Sequence, residues 1–224
     1  MTDGSERDLT PETKLTRTKQ RWAQEGRFLT GRASRPDDQR LPPGQHRVTD
    51  WPVLDLGMQP DVPPRSWRLD VTGLVAHPLS LDWATFEALP ASNFLSDIHC
   101  VTTWSRYGNQ WEGVATRDLL ALADPSPAAR FVVLRSYDGY TTNLPLEDFA
   151  AADAILARQW QRKPLSREHG GPMRLVVPHL YFWKSAKWLK AIELTENDRP
   201  GFWEVRGYHD RGDPWTEQRY SDDP

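Results

Sequence analysis

The sequence is short of cysteine, of long apolar runs and of blocks of like charge. Its 224 residues contain a single cysteine, Cys100, which excludes an intramolecular disulfide framework. The 28 lysine and arginine residues are nearly balanced by 31 aspartate and glutamate residues, so no basic surface for nucleic acid is predicted. No window reaches the apolar length of a membrane-spanning helix. The function therefore has to be sought in individual residues.

Targeting signals and metal-binding patterns are missing as well. The first residues, MTDGSERDLTPETK, lack the apolar stretch and cleavage site of a secretory signal, and no twin-arginine pair stands near them. We therefore expect a cytoplasmic location. A lone cysteine forms neither CxxC nor CxxCH, which excludes c-type haem attachment and a zinc or iron–sulfur site made by protein ligands alone.

Tryptophan and proline, in contrast, are abundant. The 11 tryptophans and 19 prolines favour a loop-rich protein with aromatic surfaces over a helical bundle. We interpret residues 1–40 as a polar N-terminal arm, in which RWAQEGRFL is the helix-like patch, and residues 41–224 as one domain. The C-terminal segment GFWEVRGYHDRGDPWTEQRY is too aromatic for a disordered tail, so we expect it to pack back on the domain.

Local patterns predict more strands than helices. The segment WRLDVTGLV alternates apolar and polar residues, as a half-buried strand does, and Asp82 is placed to cap a short helix in DWATFEAL. Residues 93–101 read as a strand that leads to a loop over 102–109, after which Thr116 caps a second helix. Further strands are predicted in FVVLRS, AILARQW, MRLVVP and KWLKAIELTE. Because no long helix separates successive strands, the predicted fold class is a sheet-rich α+β domain.

Cys100 itself allows three interpretations. It is a small buried hydrophobe, a nucleophile activated by a histidine with Asp97 as orienting carboxylate, or a metal ligand whose companion ligands come from an organic cofactor. His99 is badly placed as the base, since adjacent residues of an extended chain point to opposite faces. The more distant candidates are His169, His179 and His209.

The residues around the thiol, HCVTTWS, resemble the molybdenum–cysteine motif of the sulfite oxidase fold. This family of molybdopterin-dependent oxidoreductases includes sulfite oxidases and bacterial methionine-sulfoxide reductase catalytic subunits. Three more segments resemble the family in the same order: DGYTTNLPLEDF, HGGPMRLVVPHLYFWKSAKWLKAIEL and GYHDRGDPWTEQRY. The upstream segment QHRVTDWPVL lies where sulfite oxidases show an asparagine–histidine segment. With it the resemblance covers roughly residues 40–220, and the joint occurrence of the segments is far more specific than any one of them. The resemblance implies the sulfite oxidase fold, a Mo-molybdopterin cofactor and transfer of an oxygen atom to or from a small sulfur-containing substrate.

The resemblance also implies roles for individual residues. Cys100 would be the metal ligand, and Tyr140 a catalytic residue whose phenol hydrogen-bonds an oxo ligand or the substrate. Thr102 and Trp104 would shape the substrate pocket. The residues that would hold the cofactor, in addition to Cys100, are Thr49, Asp50, Ser136, His169, Arg174, Lys184, Ser185, Ala186 and Lys187. His169 stands where related reductases have an asparagine, and Ser136 where they have a threonine.

Substrate and electron partner stay open at this level. An anionic substrate such as sulfite needs several arginines near the metal, and the sequence offers Arg47, Arg106 and Arg135 without showing that they converge. No haem or flavin motif is visible, so we expect an electron donor or acceptor protein, or a diffusible carrier, alongside the small-molecule substrate. Two other functions stay open: a molybdopterin carrier without turnover, and a hydrolase that uses Cys100 as nucleophile.

Overall fold

The computed structural model describes residues 39–223, so the patch RWAQEGRFL lies outside the described residues. The strands within it are β1 (His46–Val48), β2 (Arg68–Gly73), β3 (Leu79–Asp82), β4 (Ser92–His99), β5 (Trp104–Ala115), β6 (Phe131–Ser136), β7 (Thr141–Pro145), β8 (Ile155–Trp160), β9 (Lys163–Pro164), β10 (Arg174–Val176) and β11 (Leu189–Thr195). The α-helices are α1 (Trp83–Glu87), α2 (Thr116–Ala123) and α3 (Leu146–Phe149). Short 3-10 turns occupy Pro64–Ser66, Arg167–His169, Phe182–Lys184, Glu204–Arg206 and Pro214–Thr216.

Two sheets carry the domain. The five-stranded sheet has the order β3-β2-β11-β6-β7, in which β2 and β11 run parallel and the other neighbours antiparallel. In the six-stranded sheet β5 is central, pairing with β1 in parallel and with β4 and β8 in antiparallel fashion. Strand β8 also pairs with β9 and β10. This sheet brings the C-terminal end of β4, and with it Cys100, next to the loops around β10.

Strand β8 buries side chains on both faces of the six-stranded sheet, because successive residues of a strand point to opposite faces. On β8, Leu156 packs into the larger core cluster, which extends to the five-stranded sheet, whereas its neighbours Ile155 and Ala157 pack into a second cluster. The second cluster contains Cys100 and Phe182. The thiol therefore stands at the border between a packed core and the loops that cover it.

The fold class predicted from the sequence, a sheet-rich α+β domain, is confirmed. Helix α1 begins where it was predicted, because the Asp82 carboxylate accepts a hydrogen bond from the Thr85 N–H at 2.8 Å. The loop predicted over 102–109 was wrong, since β5 already starts at Trp104. The role predicted for Thr116 was also wrong: it is the first residue of α2, and its hydroxyl donates to the Phe149 carbonyl instead of capping the helix.

No helix of the described part of the chain is long and apolar enough to span a membrane.

A buried histidine ties the C-terminal segment to the sheets. The Nε2 atom of His179 lies 2.8 Å from a carboxylate oxygen of Asp148 on α3, and the Arg211 guanidinium reaches the same carboxylate at 3.1 Å. Burial alone would lower the pKa of His179, but the hydrogen bonds and charges of Asp148 and Asp153 outweigh it and raise that pKa. The pKa of Asp148 is lowered, because its bonds to His179 and Arg211 outweigh its own burial.

These shifts give a pH dependence with a definite sign. A histidine whose folded-state pKa is raised stabilises the fold below its unfolded pKa, and this contribution disappears as the pH rises through the raised value. We expect His179→Gln to lower the free energy of unfolding by about 3 kcal/mol at mildly acidic pH, because it leaves the buried Asp148 carboxylate with less support. Urea unfolding from pH 5 to 9 measures this, with the exposed His77→Gln as control. If the free energy of unfolding changed with pH equally in both variants, the raised pKa of His179 would not be the source of the pH dependence.

Candidate active site

A cavity of about 370 Å³ opens beside Cys100. Its lining falls into two groups of different chemistry. The thiol wall consists of Cys100, Thr102, Trp104, Tyr140, Trp183, Trp203 and Tyr208. The basic wall consists of Trp51, His169, Arg174, Ser185, Ala186, Lys187 and Trp188. One side therefore offers a soft sulfur among aromatic rings, and the other offers hydrogen-bond donors and positive charge.

Strand β4 delivers Cys100 to the cavity, and a tight turn fixes its backbone. The Cys100 N–H donates to the Trp104 carbonyl at 2.8 Å, and the side-chain amide of Gln45 donates to the Cys100 carbonyl at 3.0 Å. The Sγ atom lies 3.1 Å from the hydroxyl oxygen of Thr102. Burial raises the pKa of the thiol, so it is protonated in the free protein at neutral pH.

These surroundings do not activate the thiol as a nucleophile. The Nδ1 atom of His99 lies 2.8 Å from the hydroxyl of Ser105, and Asp97 forms an ion pair with Arg40 at 2.7 Å. Neither contact supplies the adjacent base and orienting carboxylate of a catalytic thiol. A reactive thiolate also needs a lowered pKa, and that of Cys100 is raised.

Tyr140 enters the thiol wall from the turn between β6 and β7. The Asp138 carboxylate accepts the Tyr140 N–H at 3.0 Å, and the Tyr140 hydroxyl donates to the Trp183 carbonyl at 2.7 Å. Burial, with the negative charge of Glu204, raises the pKa of Tyr140 well above its ordinary value. The phenol is therefore a neutral donor that already has a partner.

Arg174 is the central cation of the basic wall. Its guanidinium donates to three backbone carbonyls, those of His169 at 3.0 Å, Leu175 at 3.3 Å and Ser185 at 2.6 Å. Burial lowers the pKa of Arg174 to about 9, and among residues 39–223 no carboxylate forms an ion pair with it. A buried cation with hydrogen bonds but no counter-charge favours an anion nearby.

Two more basic groups lie beside it. Burial and repulsion from Arg174 lower the pKa of Lys187 to about 8, although Asp55 and Asp138 act in the opposite direction. Burial likewise lowers the pKa of His169. Its ring stacks on Trp51 with centroids 3.9 Å apart, and its Nε2 atom lies 3.1 Å from the Trp51 carbonyl oxygen. An anion in this part of the cavity would relieve the penalty on the charged forms of Arg174 and Lys187.

A glycine lets the chain come close to Lys187. Gly170 has a φ of +101°, and a Cβ atom there would lie 2.9 Å from the Cβ of Lys187. The turn Arg167–His169 can therefore pack directly on the segment 185–187. In that segment the Ser185 hydroxyl accepts the Val177 N–H at 2.9 Å. The hydroxyl hydrogen of Ser185 stays available to a ligand.

The structure does not bring every predicted residue to the cavity. Thr49 and Asp50 are exposed and precede the lining residue Trp51, and Ser136 is buried with a hydroxyl that has no partner among the described residues. Lys184 is fully buried behind the cavity wall. Its ammonium forms an ion pair with Glu204 at 2.7 Å and does not line the cavity, so its role in holding the cofactor stays a prediction.

Several lining residues were not predicted. Trp51, Asp55 and Asp138 line the cavity near Lys187, and Trp183, Trp203 and Tyr208 complete the thiol wall. The signal for the last three was the density of aromatic residues in YFWKSAKW and GFWEVRGYHD. Pattern alone did not separate rings that face a ligand from rings that pack in a core.

The two walls fit a molybdopterin. Cys100 is the single thiol of the chain, so a soft metal bound to it takes further sulfur ligands from a non-protein group, as a dithiolene provides. The basic wall offers a guanidinium, an ammonium and a hydroxyl, which suit a phosphate group. Cys100 would hold the metal, and Arg174, Ser185 and Lys187 would hold the phosphate end.

Titration of Lys187 tests the basic wall. In cofactor-free protein its pKa is about 8, so at that pH half of its amine is uncharged and reactive. A bound anion favours the ammonium, so we expect loading to raise the pKa and to shift acetylation of Lys187 to higher pH. Peptide mass spectrometry of protein labelled with acetic anhydride from pH 6 to 10 measures the midpoint, with the exposed Lys163 as internal control. An unchanged midpoint on loading would argue against an anion beside Lys187.

Comparisons with known proteins agree with this chemistry. Residues 56–203 match the family model described as oxidoreductase molybdopterin binding domain. The chain is 48% identical over 194 residues to the protein named uncharacterized oxidoreductase YuiH of Bacillus subtilis, which covers 84% of this chain and 96% of that protein. It is 29% identical to the protein-methionine-sulfoxide reductase catalytic subunit MsrP of Campylobacter jejuni, over 62% of this chain and 52% of the relative.

The fold is similar to that of a solved structure. The sulfane dehydrogenase SoxCD of Paracoccus pantotrophus superposes with a TM-score of 0.60 at 20% identity, over 70% of this chain and 46% of that one. The chain thus spans almost all of the Bacillus relative, but about half of the reductase subunit and of SoxCD. With the family model matching more than half of its residues, the chain belongs to the oxidoreductase molybdopterin-binding domain family and is a molybdopterin-dependent oxidoreductase.

Proposed function

We propose that the protein transfers an oxygen atom to or from a small, uncharged sulfur compound, with Cys100 as the protein ligand of molybdenum. The observation that carries this proposal is the position of the thiol, which faces a cavity between an aromatic wall and a basic wall whose Arg174 has no ion pair among residues 39–223. When bound, the cofactor supplies a metal that exchanges oxygen with the substrate while it gains or gives up two electrons. The protein holds that group, shapes the substrate site and excludes water.

Cys100 contributes a prepared ligand. The turn after β4 and the amide of Gln45 hold the backbone of Cys100, so the direction of the thiol does not depend on the cofactor. Since burial raises the pKa of the thiol, metal binding has to displace its proton. The Thr102 hydroxyl, 3.1 Å from Sγ, can donate to the thiolate that results.

The thiol wall favours an uncharged substrate. Among the described residues that line the cavity, Arg174 and Lys187 are the arginine and lysine side chains, and both belong to the basic wall. Arg47, Arg106 and Arg135, the three candidates for binding an anion, do not line it. The Arg219 guanidinium, whose charge acts on Cys100, donates to the Val101 carbonyl at 2.7 Å and does not line the cavity. On the cavity lining at the thiol, a sulfite dianion would meet indole and phenol rings. The alkyl groups of a sulfoxide or thioether suit such a surface.

The named relative supports the sulfur chemistry. The Campylobacter protein is called a protein-methionine-sulfoxide reductase subunit, and a sulfoxide carries one transferable oxygen and no net charge. The chain holds no haem or flavin motif, so we propose that an external protein or a diffusible carrier supplies or removes the electrons. The cytoplasmic location predicted from the sequence stays a prediction.

The other two functions are less well supported. A hydrolase needs a base at the thiol, whereas the His99 ring bonds to Ser105 and the thiol contacts Thr102. A carrier needs the basic wall alone, and a thiol wall of three tryptophans and two tyrosines has no role in it. Turnover of an added substrate would distinguish the enzyme hypothesis from the carrier hypothesis.

Replacement of the ligand tests the proposal. We expect Cys100→Ser to fold like the wild type but to lose more than about 100-fold in turnover, the upper end of what disturbed support of a metal ligand costs. The protein should be made in a host that synthesises molybdopterin. Metal analysis, pterin fluorescence and reduction of dimethyl sulfoxide by a reduced dye give the readouts. Unaltered turnover in this variant would remove the central claim.

The charge preference has its own test. We expect the loaded wild type to have a kcat/KM for reduction of dimethyl sulfoxide at least about tenfold higher than its kcat/KM for oxidation of sulfite at equal ionic strength. The reason is that the thiol wall contains no arginine side chain to attract an anion. Steady-state rates with artificial dyes, at 20 and 200 mM salt, measure both reactions. A preference for sulfite that weakens steeply with salt would show that cations steer the substrate after all.

A further inference from the structure

The C-terminal segment supplies part of the thiol wall. After the turn Glu204–Arg206, Gly207 adopts a φ of +90°, and the chain turns so that Tyr208 lines the cavity. The Tyr208 ring contacts two indole rings, with centroids 5.2 Å from Trp183 and 5.0 Å from Trp203. Three aromatic side chains from two distant segments thus form one surface beside the thiol.

A buried ion pair fixes this segment in place. Glu204 and Lys184 form an ion pair of 2.7 Å, and the Trp183 indole N–H donates to the same Glu204 carboxylate at 3.0 Å. The Tyr208 N–H donates to the Trp203 carbonyl at 3.1 Å. Lys184 and Trp183 belong to the turn Phe182–Lys184, so these contacts join that turn to the C-terminal segment. The position of Tyr208 relative to Cys100 is therefore determined by packed side chains, not by a free loop.

The two phenols of the thiol wall differ in one respect. The Tyr140 hydroxyl donates to the Trp183 carbonyl, so it must lose that bond before it can serve a ligand. The Tyr208 hydroxyl forms no hydrogen bond to any atom of residues 39–223. Burial raises the pKa of Tyr208, and the charges of Tyr220 and of a Cys100 thiolate add to that effect. Tyr208 is therefore a neutral, half-buried donor beside Cys100 whose hydroxyl is not committed to another residue among those described.

We propose that Tyr208 donates its hydroxyl hydrogen to the oxygen of the bound substrate, while Trp183 and Trp203 hold the substrate's apolar groups. The proposal rests on the function proposed above and adds the residue that orients the substrate. No proton is transferred in this step, because the phenol only donates a hydrogen bond to the sulfoxide oxygen. The uncommitted donor and the two flanking rings suit a molecule with one polar oxygen and small alkyl groups.

The test compares three tyrosines in cofactor-loaded protein. Dimethyl sulfone, which keeps the sulfur–oxygen group of the substrate, is titrated while the electron paramagnetic resonance spectrum of the bound molybdenum is recorded. We expect Tyr208→Phe to raise the dissociation constant of dimethyl sulfone about three- to tenfold, which is the effect of one lost neutral hydrogen bond. Tyr220→Phe is the matched control, because the ring of Tyr220 packs 5.7 Å from Tyr208 and its phenol does not line the cavity. Its dissociation constant and the metal content of all variants should equal those of the wild type.

The outcomes separate the two proposals. Equal sulfone binding by the wild type and Tyr208→Phe overturns the role of Tyr208, as does a loss confined to Tyr140→Phe. Failure of the loaded wild type to bind dimethyl sulfone overturns it too. If the wild type binds the sulfone but reduces no dimethyl sulfoxide, the proposed function fails, and the comparison of dissociation constants still decides the hydrogen bond. Where turnover is present, kcat/KM of Tyr208→Phe should fall by the same factor as its binding.

Discussion

The burial of the Arg174 guanidinium is the constraint on which the site depends. A cation removed from water must be satisfied by hydrogen bonds, and here three backbone carbonyls meet that need. These carbonyls belong to the turn before β10, to β10 itself and to the segment that carries Ser185. Arg174 also stacks on Phe182 at 4.3 Å, which ties it to the core cluster of Cys100. One side chain thus holds together the elements that form the basic wall and faces the cavity with its charge.

The fold could be predicted from the sequence where local patterns decide it. The alternation in β2 and the Asp82 cap of α1 involve residues that are close in sequence, so both predictions held. The long strand β5 was missed because its first half is polar and resembles a loop. Its polar groups are satisfied across the sheet, as when the Asn109 amide donates to the Ser96 carbonyl at 3.2 Å. Such non-local pairing leaves no pattern within a short window.

The candidate site shows the same division. Family resemblance led to Cys100, Tyr140 and Arg174, and the structure places all three on one cavity. The resemblance could not tell which of Lys184 and Lys187, three residues apart, faces the cavity. Only the tertiary contacts show that Lys184 is committed to Glu204 while Lys187 faces the cavity. Tyr208 was missed because its contribution depends on how a distant segment returns to the thiol.

The two walls of the cavity come from different parts of the chain. Most of the basic wall lies within residues 169–188, whereas Trp203 and Tyr208 stand on the segment that follows β11. The residues proposed to hold the cofactor and those proposed to contact the substrate therefore lie mostly on different stretches of the chain, with Trp183 as the exception within residues 169–188. Substitutions in the later stretch can change which molecule is accepted while the stretch that anchors the prosthetic group is preserved. This arrangement gives a small domain a route by which new substrates can evolve on an unchanged redox centre.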